Sequence, residues 1–218
     1  MQNISTKLAT SGAALIVALA AHDASAQTPV YNWTGFYVGA HGGYGWGDVN
    51  LSGGDKIKST KGWVGGLQAG YNWQLSSIVI GSEIDASLSG VKGEEFFSNK
   101  DISMHQRWSG TARLKAGLPI NGMPGVGGIL LYGTGGLAVS QWKDKVEFTG
   151  GEVDKASATH FGWTAGAGME VALSPSVSMK LEYLYADYGN KKYDGEKRDP
   201  RLSTLRLGVN YRFSTVAP

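Results

Sequence analysis

The stretch LRLGVNYRF at residues 205–213, near the end of the chain, decides the fold. Apolar side chains occupy every second position in it, at Leu205, Leu207, Val209, Tyr211 and Phe213. The positions between them carry arginine, glycine and asparagine. Because a repeat of two residues puts alternate side chains on opposite faces of a β-strand, this stretch predicts a strand with one apolar and one polar face.

The same alternation recurs along the chain. It is found at residues 36–46, 63–73, 80–88, 107–116, 160–171 and 177–185. One further segment, Gly128 to Trp142, is so rich in glycine and small residues that its pattern assigns no faces. Together with the closing stretch, these segments predict eight strands.

The connections between the segments alternate in length. The long, polar ones run Asn50–Lys61, Val91–Ile102, Lys143–Ala158 and Gly189–Arg201, and the short ones run Leu75–Ser77, Leu118–Gly127 and Leu173–Ser176. Bacterial outer-membrane barrels combine an even strand number with short periplasmic turns and longer outer loops. We therefore predict an all-β fold, an eight-stranded antiparallel up-and-down transmembrane β-barrel with both termini in the periplasm.

Aromatic rings fall into two groups along the predicted strands. Near the short turns and termini lie Trp33, Phe36, Tyr71, Trp73, Tyr211 and Phe213. Near the long connections lie Tyr44, Trp46, Trp63, Trp108, Trp142, Phe161, Trp163 and Tyr185. Two such groups are typical of the aromatic girdles at membrane interfaces. In the alternative, a soluble lipocalin-like barrel, the apolar face would point inward and crowd the largest rings into the barrel mouths.

The N-terminus predicts export. Lys7 precedes an apolar run, Leu8–Ala21, and Ala24 and Ala26 have the small side chains and the spacing that signal-peptidase cleavage requires. The run is shorter than the ~20 residues that span a bilayer as a helix. We predict a cleaved signal peptide over residues 1–26 and an outer-membrane β-barrel domain over residues 27–218.

Composition excludes several classes of function. The formal net charge of +2, without a basic run, argues against a nucleic-acid partner. The chain has no Cys, which excludes disulfides, thiolate metal sites and cysteine nucleophiles. Its 33 Gly beside 7 Trp and 10 Tyr, without a Gly-X-Y period, fit closely approaching strands with anchoring rings.

Three motifs carry a resemblance to a known family: YNWTGFYVG at residues 31–39, LYGTGGLA at 131–138 and LGVNYRF at 207–213. The mature chain resembles the alphaproteobacterial outer-membrane β-barrel (porin-like, outer-membrane immunogenic protein) family and, more distantly, the membrane barrel of outer-membrane protein A. The resemblance implies a cell outer-membrane location in a Gram-negative envelope. It also implies a role as a surface antigen, an envelope-integrity protein or a small porin, with haemin binding in some relatives.

The polar side chains at every second strand position, which we call the inward parity, predict a lumen closed by ion pairs. The residues of this predicted network are Glu83, Asp85, Arg107, Arg113, Lys115, Glu170, Lys180, Glu182, Arg206 and Arg212. Oppositely charged groups buried together avoid the cost of an unpaired buried charge. We expect Glu170 to neighbour Arg113 or Arg206. On the apolar face of the last strand, Tyr211 and Phe213 are predicted to be the signal read by the barrel-assembly machinery.

The histidines of the mature chain, His41, His105 and His160, all fall on the inward parity. Neutral imidazoles there could bind a metal or haem iron, but no ligand-spaced pair such as H-x-x-x-H occurs, so solvated lumen residues are the simpler interpretation. Asp101 and Ser103 lie beside His105, but nearness in sequence does not make a catalytic triad. We predict no catalytic, cofactor or metal site, and no enzyme.

The predicted function is a structural and surface-interaction role in the cell envelope. The alternative is a small porin passing ions or solutes, although eight strands leave an interior that side chains can fill. Surface haemin or metal binding is a weaker alternative. The expected partners are outer-membrane lipid and lipopolysaccharide, whose phosphates the basic residues of the last long connection could meet. The pattern leaves open the oligomeric state, the loop partner and any conducted solute.

Overall fold

The structure, a computed structural model, describes residues 31–51, 56–97, 100–121, 126–148, 153–189, 191–193 and 196–213. The predicted signal peptide, with its cleavage residues Ala24 and Ala26, lies outside the described residues.

The described chain forms one antiparallel β-sheet of ten segments. They are β1 (Gly35–Leu51), β2 (Lys56–Leu75), β3 (Ile78–Ser89), β4 (Lys92–Phe97), β5 (Lys100–Ile120), β6 (Gly128–Phe148), β7 (Val153–Ala172), β8 (Val177–Asp187), β9 (Lys191–Tyr193) and β10 (Glu196–Phe213). β4 continues β3 between the same two neighbours, and β9 continues β8 along β10. The ten segments therefore make eight barrel strands.

The sheet closes on itself. β1 pairs with β2 on one side and with β10 on the other, so that Tyr44 lies opposite both Trp63 and Leu205. Each barrel strand pairs with its neighbours in chain order, which is the up-and-down arrangement. The predicted eight-stranded antiparallel barrel is confirmed. In the described part of the chain, no helix is long and apolar enough to span a membrane.

Side chains alternate between the inside and the outside of the barrel. On β3, Ile84 is 62% exposed, whereas Glu83 and Asp85 on either side of it are buried. The exposed large residues are mostly apolar, and they include Leu67, Leu114, Leu137 and Phe161. The outer surface is thus apolar and the interior polar, the reverse of a soluble barrel.

The structure assigns the faces of β6, which the sequence pattern leaves open. Its buried side chains, in the part whose burial is described, are Leu130, Tyr132, Ala138 and Ser140. Leu131 and Leu137, at odd-numbered positions, are exposed. The alternation is present, but glycine at residues 133, 135 and 136 removes the side chains that would reveal it.

The connections predicted as long loops are largely strand, so this part of the prediction is wrong. β1 extends to Leu51 and β2 begins at Lys56, while β6 extends to Phe148 and β7 begins at Val153. Polar strands continue as hairpins because pairing satisfies their backbone hydrogen bonds. We call this the hairpin end of the barrel, and the opposite end, with connections at 76–77, 121–127 and 173–176, the short-turn end.

Candidate functional site in the barrel lumen

Eight charged side chains meet in the middle of the lumen, and we call them the ionic layer. Four are acids and four are bases: Glu83, Asp85, Glu170 and Glu182, and Arg113, Lys115, Lys180 and Arg206. All are buried, with 8% exposure or less. Five barrel strands supply them, because inward positions recur at every second residue of each strand.

Two arginines join the acids of the ionic layer. The Arg206 guanidinium lies 2.7 Å from the Glu182 carboxylate and 3.2 Å from Asp85. The Arg113 guanidinium contacts Glu83 and lies 3.1 Å from Asp85 and 3.2 Å from Glu182. Each arginine therefore bridges carboxylates from two different strands, and such forked contacts fix geometry as well as charge.

Two lysines complete the ionic layer. Lys180 Nζ lies 2.8 Å from Glu83 Oε1 and 3.9 Å from Glu182 Oε2. Lys115 Nζ lies 3.7 Å from Glu170 Oε2, toward the short-turn end. Each of the eight charges thus has at least one opposite charge within 4 Å, which is what makes burial of charge tolerable.

Two tyrosines that sequence reasoning missed extend the ionic layer. The Tyr37 hydroxyl donates to Glu83 at 2.7 Å and accepts from Lys115 at 3.0 Å. The Tyr132 hydroxyl donates to Glu182 at 2.9 Å, and Lys115 Nζ also lies over both rings. Tyr37 lies at an odd-numbered position of β1, like His41, so strand alternation could have predicted that it points inward. The glycines around Tyr132 leave its orientation without a sequence signal.

The histidines have different positions. His41 is buried in the lumen, with Nδ1 3.0 Å from the Gln68 side-chain oxygen and Nε2 2.8 Å from the Ser87 hydroxyl. His160 is also buried on the inward face. His105 is not inward, because it lies directly opposite the exposed Lys92. Among the described residues, no group of three His, Asp or Glu is placed to hold a metal ion.

The prediction that Arg107 lies in the lumen is wrong. The β5–β6 register shifts between Gln106 and Trp108, which marks a β-bulge. A bulge inserts one extra residue and reverses the facing of the strand beyond it. Gln106 therefore points inward, with 2% exposure, while Arg107 is exposed and His105 takes the outer face.

The expected partners of Glu170 are also wrong. Across the strand pairs, Arg113 lies directly opposite Glu83, and Arg206 lies directly opposite Glu182. This register leaves Glu170 one level nearer the short-turn end, where it faces Lys115 and accepts hydrogen bonds from Ser178 and Asn210.

The other residues of the predicted network have buried inward positions. Arg212, however, contacts aromatic rings and a backbone carbonyl, and no described carboxylate forms an ion pair with it.

An apolar layer lies beyond the ionic layer at the hairpin end. Its buried residues are Val64, Val91, Leu184, Ala186, Tyr188 and Leu202. Beside it, Gln106 donates to the Ser140 hydroxyl at 2.7 Å and accepts from the Ser89 hydroxyl at 2.8 Å. Between this layer and Arg206 lies a cavity of about 30 Å³ whose lining is rich in hydroxyl groups, with room for one or two waters.

A second apolar cluster fills the short-turn end. Its buried members are Tyr31, Trp33, Val79, Leu130, Tyr132 and Ala172. The placement of Trp33 in the outer aromatic girdle is therefore wrong: its ring is fully buried inside the barrel. Trp33 precedes β1, and at odd-numbered parity it continues the inward series of Tyr37 and His41. Apolar, ionic and apolar layers thus follow one another along the barrel axis.

An apolar exterior, exposed rings near both ends and a charged layer at the centre of the lumen define a transmembrane β-barrel. Comparison with known proteins agrees: the sequence model of the "Outer membrane protein beta-barrel domain" family matches residues 11–213. The chain belongs to this family, and it is a protein of the outer membrane.

Named relatives are similar along most of their length. The 25 kDa outer-membrane immunogenic protein of Brucella abortus is 35% identical over 85% of this chain and 81% of its own. The 31 kDa outer-membrane immunogenic protein of Brucella melitensis is 33% identical over 98% of both chains. The 22 kDa outer membrane protein of Rhizobium leguminosarum is 34% identical over 85% of this chain and 80% of its own.

Among solved structures, Neisserial surface protein A gives a TM-score of 0.47 at 21% identity, covering 83% of this chain and 98% of that one. This likeness is too low to add to the assignment.

Proposed function

We propose that this protein is a structural and surface-interaction component of the outer membrane, without enzymatic activity, whose lumen is closed to solutes. The observation that carries the proposal is the ionic layer between two apolar layers. A permeating ion would have to separate Arg113 and Arg206 from Glu83 and Glu182, and this would leave buried charges without partners, which is strongly unfavourable. The small-porin alternative would need a continuous aqueous path through the lumen, whereas the charged residues at its centre are at most 8% exposed.

Solute flux tests the closed lumen. Vesicles containing the purified protein should swell in isotonic solutions of small sugars no faster than protein-free vesicles. A vesicle set with a known 16-stranded porin gives the positive control. Swelling that increases with the amount of this protein and falls with sugar size would overturn the proposal in favour of the small porin.

A row of basic residues supports outer-leaflet lipid, and lipopolysaccharide in particular, as the partner of this barrel. Lys61 lies directly opposite Lys92, and Lys92 lies directly opposite His105, at the hairpin end beside the exposed Trp63. Like charges opposite one another on a sheet repel. Phosphate groups of the surrounding lipid would offset this repulsion. On the other side of the barrel, Arg201 is instead paired with Asp187 at 3.3 Å.

Lipid retention tests this partner. The barrel is refolded with a bisphosphorylated lipid A or with its dephosphorylated form, and bound lipid is counted by native mass spectrometry. The double variant Lys61→Gln/Lys92→Gln should retain several-fold less bisphosphorylated lipid, while Arg201→Gln should match the wild type. Equal retention by all three proteins would remove this partner from the proposal.

The route to the membrane is part of the same proposal. We expect the signal peptide, residues 1–26, to be removed after Ala26, which the intact mass of the membrane form checks. The barrel-assembly machinery would then read the last strand, where Tyr211 and Phe213 are about half exposed and Phe213 stacks on Phe36 at 5.7 Å. Phe213→Asp should prevent insertion. Normal heat-modifiable migration of that variant would contradict the role of the last strand.

A further inference from the structure

The four residues before β1 fold back into the barrel at its short-turn end. We call Tyr31–Thr34 the latch segment. Trp33 has no exposed surface, and Tyr31 is 8% exposed. Their rings meet edge to face, with centroids 4.8 Å apart. The latch segment precedes the first strand, so side-chain contacts and not strand pairing hold it in place.

The pocket that holds the latch segment is built from distant parts of the chain. Val79 comes from β3, Leu130 and Tyr132 from β6, and Ala172 from the end of β7. The Tyr31 hydroxyl reaches the carbonyl of Pro175 in the turn before β8. No two adjacent strands can form this pocket, and a closed barrel brings its walls together.

Polar contacts tie the latch segment to the strands beside the closing seam, which is the β1–β10 pairing. Arg212 of β10 places its guanidinium 4.7 Å from the Tyr31 ring centre and 5.0 Å from that of Trp33. The same guanidinium donates to the Asn32 carbonyl at 2.9 Å. On the β2 side, the backbone N–H of Trp33 donates to the Gln74 side-chain oxygen at 2.8 Å, and the backbone N–H of Gln74 donates to the Thr34 hydroxyl at 3.0 Å.

From these contacts we propose that the latch segment is a closure latch. It binds inside the barrel at the short-turn end once β10 has paired with β1. There it holds the closing seam from inside through Arg212, and it keeps water out of the lumen at that end. Cation–π stacking and aromatic packing hold it there. The latch is separate from the closed-lumen proposal, because the ionic layer above it would still block ions if the latch were absent.

A single engineered thiol tests the latch, because the chain has no Cys. Val79→Cys puts the thiol in the wall of the pocket, and a small water-soluble thiol reagent reports whether the pocket is open. Labelling of Val79→Cys in the refolded barrel should be slow. Adding Trp33→Ala should raise the labelling rate at least tenfold.

Trp73→Ala is the matched control, since that ring lies at the same end but on the outer face, 46% exposed. It should leave the labelling rate of Val79→Cys unchanged. A second thiol at Ala186→Cys, in the apolar layer of the hairpin end, should stay slow with or without Trp33. Equal labelling of Val79→Cys with and without Trp33 would overturn the latch.

A milder variant and a time course cover the case in which Trp33→Ala does not fold. Arg212→Met removes the guanidinium but keeps an unbranched chain, and it should raise Val79→Cys labelling to an intermediate rate. During refolding of the wild-type latch, protection of Val79→Cys should appear with the folded gel band or after it. Protection that precedes the folded band would show that the pocket does not require closure, and would also overturn the proposal.

Discussion

The ionic layer and the latch segment fill the same lumen by different physics. In the ionic layer, the single carboxylate of Glu83 contacts Arg113, Lys180 and the Tyr37 hydroxyl. The stability of the ionic layer therefore depends on charge balance within a rigid wall of strands. The latch segment lies outside the strands and holds Trp33 by packing, with Arg212 as its polar tie. Removing one buried charge therefore affects several partners at once, whereas the loss of one ring is confined to its pocket.

The largest effect is expected for Glu83→Ala. It leaves Arg113 and Lys180 without their nearest carboxylate, and breaking such a buried network costs about 3–5 kcal/mol of unfolding free energy. Urea titration of the refolded barrel, followed by heat-modifiable migration, measures this. Glu83→Gln keeps the shape and should lose nearly as much, because charge is what the partners need. If Glu83→Gln were as stable as the wild type, charge balance would not be what stabilises the ionic layer.

Trp33→Ala should come next, at about 3 kcal/mol, near the lower end of the range for removing a buried aromatic ring. The same urea titration compares it with Trp73→Ala, which removes an exposed ring on the outer face. A loss no larger than that of Trp73→Ala would mean that the latch segment contributes nothing to stability.

Glu170→Ala should cost less than either, about 1–3 kcal/mol. Among the described residues Glu170 forms one ion pair, with Lys115 at 3.7 Å, and accepts hydrogen bonds from Ser178 and Asn210. Lys115 would keep its hydrogen bond to the Tyr37 hydroxyl at 3.0 Å, so the cost is that of leaving a few buried groups unsatisfied. Glu196→Ala, in the strand extension of the hairpin end, serves as the control. A greater loss from Glu170→Ala than from Glu83→Ala would reverse the ranking inside the ionic layer.

The smallest effect is expected at the rim. Asp187→Asn removes the partner of Arg201, whose side chain is 49% exposed, and exposed pairs contribute about 0.2–1 kcal/mol. Salt should weaken this pair but leave the ionic layer unaffected, because buried pairs are screened far less. A thermal transition of the wild type that falls steeply between low and high salt would contradict burial of the ionic layer.

Much of the barrel and of the ionic layer can be predicted from the sequence, because strand geometry fixes facing at every second residue. That rule alone puts Glu83, Glu182 and Arg206 inside the barrel, where they lie. It fails at Arg107, because a bulge adds one residue and sequence periodicity carries no mark of it. It gives no answer for Tyr132, whose neighbours in the strand include glycines without side chains.

The latch segment escapes sequence-based prediction for another reason. A ring near a terminus commonly lies at a membrane interface, so Trp33 is predicted to join the outer girdle. Its odd-numbered parity, shared with Tyr37 and His41, is the signal that could place it inside. The partner of Glu170 cannot be predicted for a different reason, because it depends on the register between strands. Alternation determines whether a side chain points inward or outward, but not its height along the barrel axis.

Single-channel recording from the purified monomer in a planar bilayer tests the central claim most directly, which is that a mutually paired ionic layer closes the lumen. The wild-type barrel should show no steady open level, and Glu83→Ala should introduce brief, small openings as the unpaired cations are hydrated. Large, stable, voltage-insensitive channels in the wild type, unchanged by Glu83→Ala, would contradict the closed lumen.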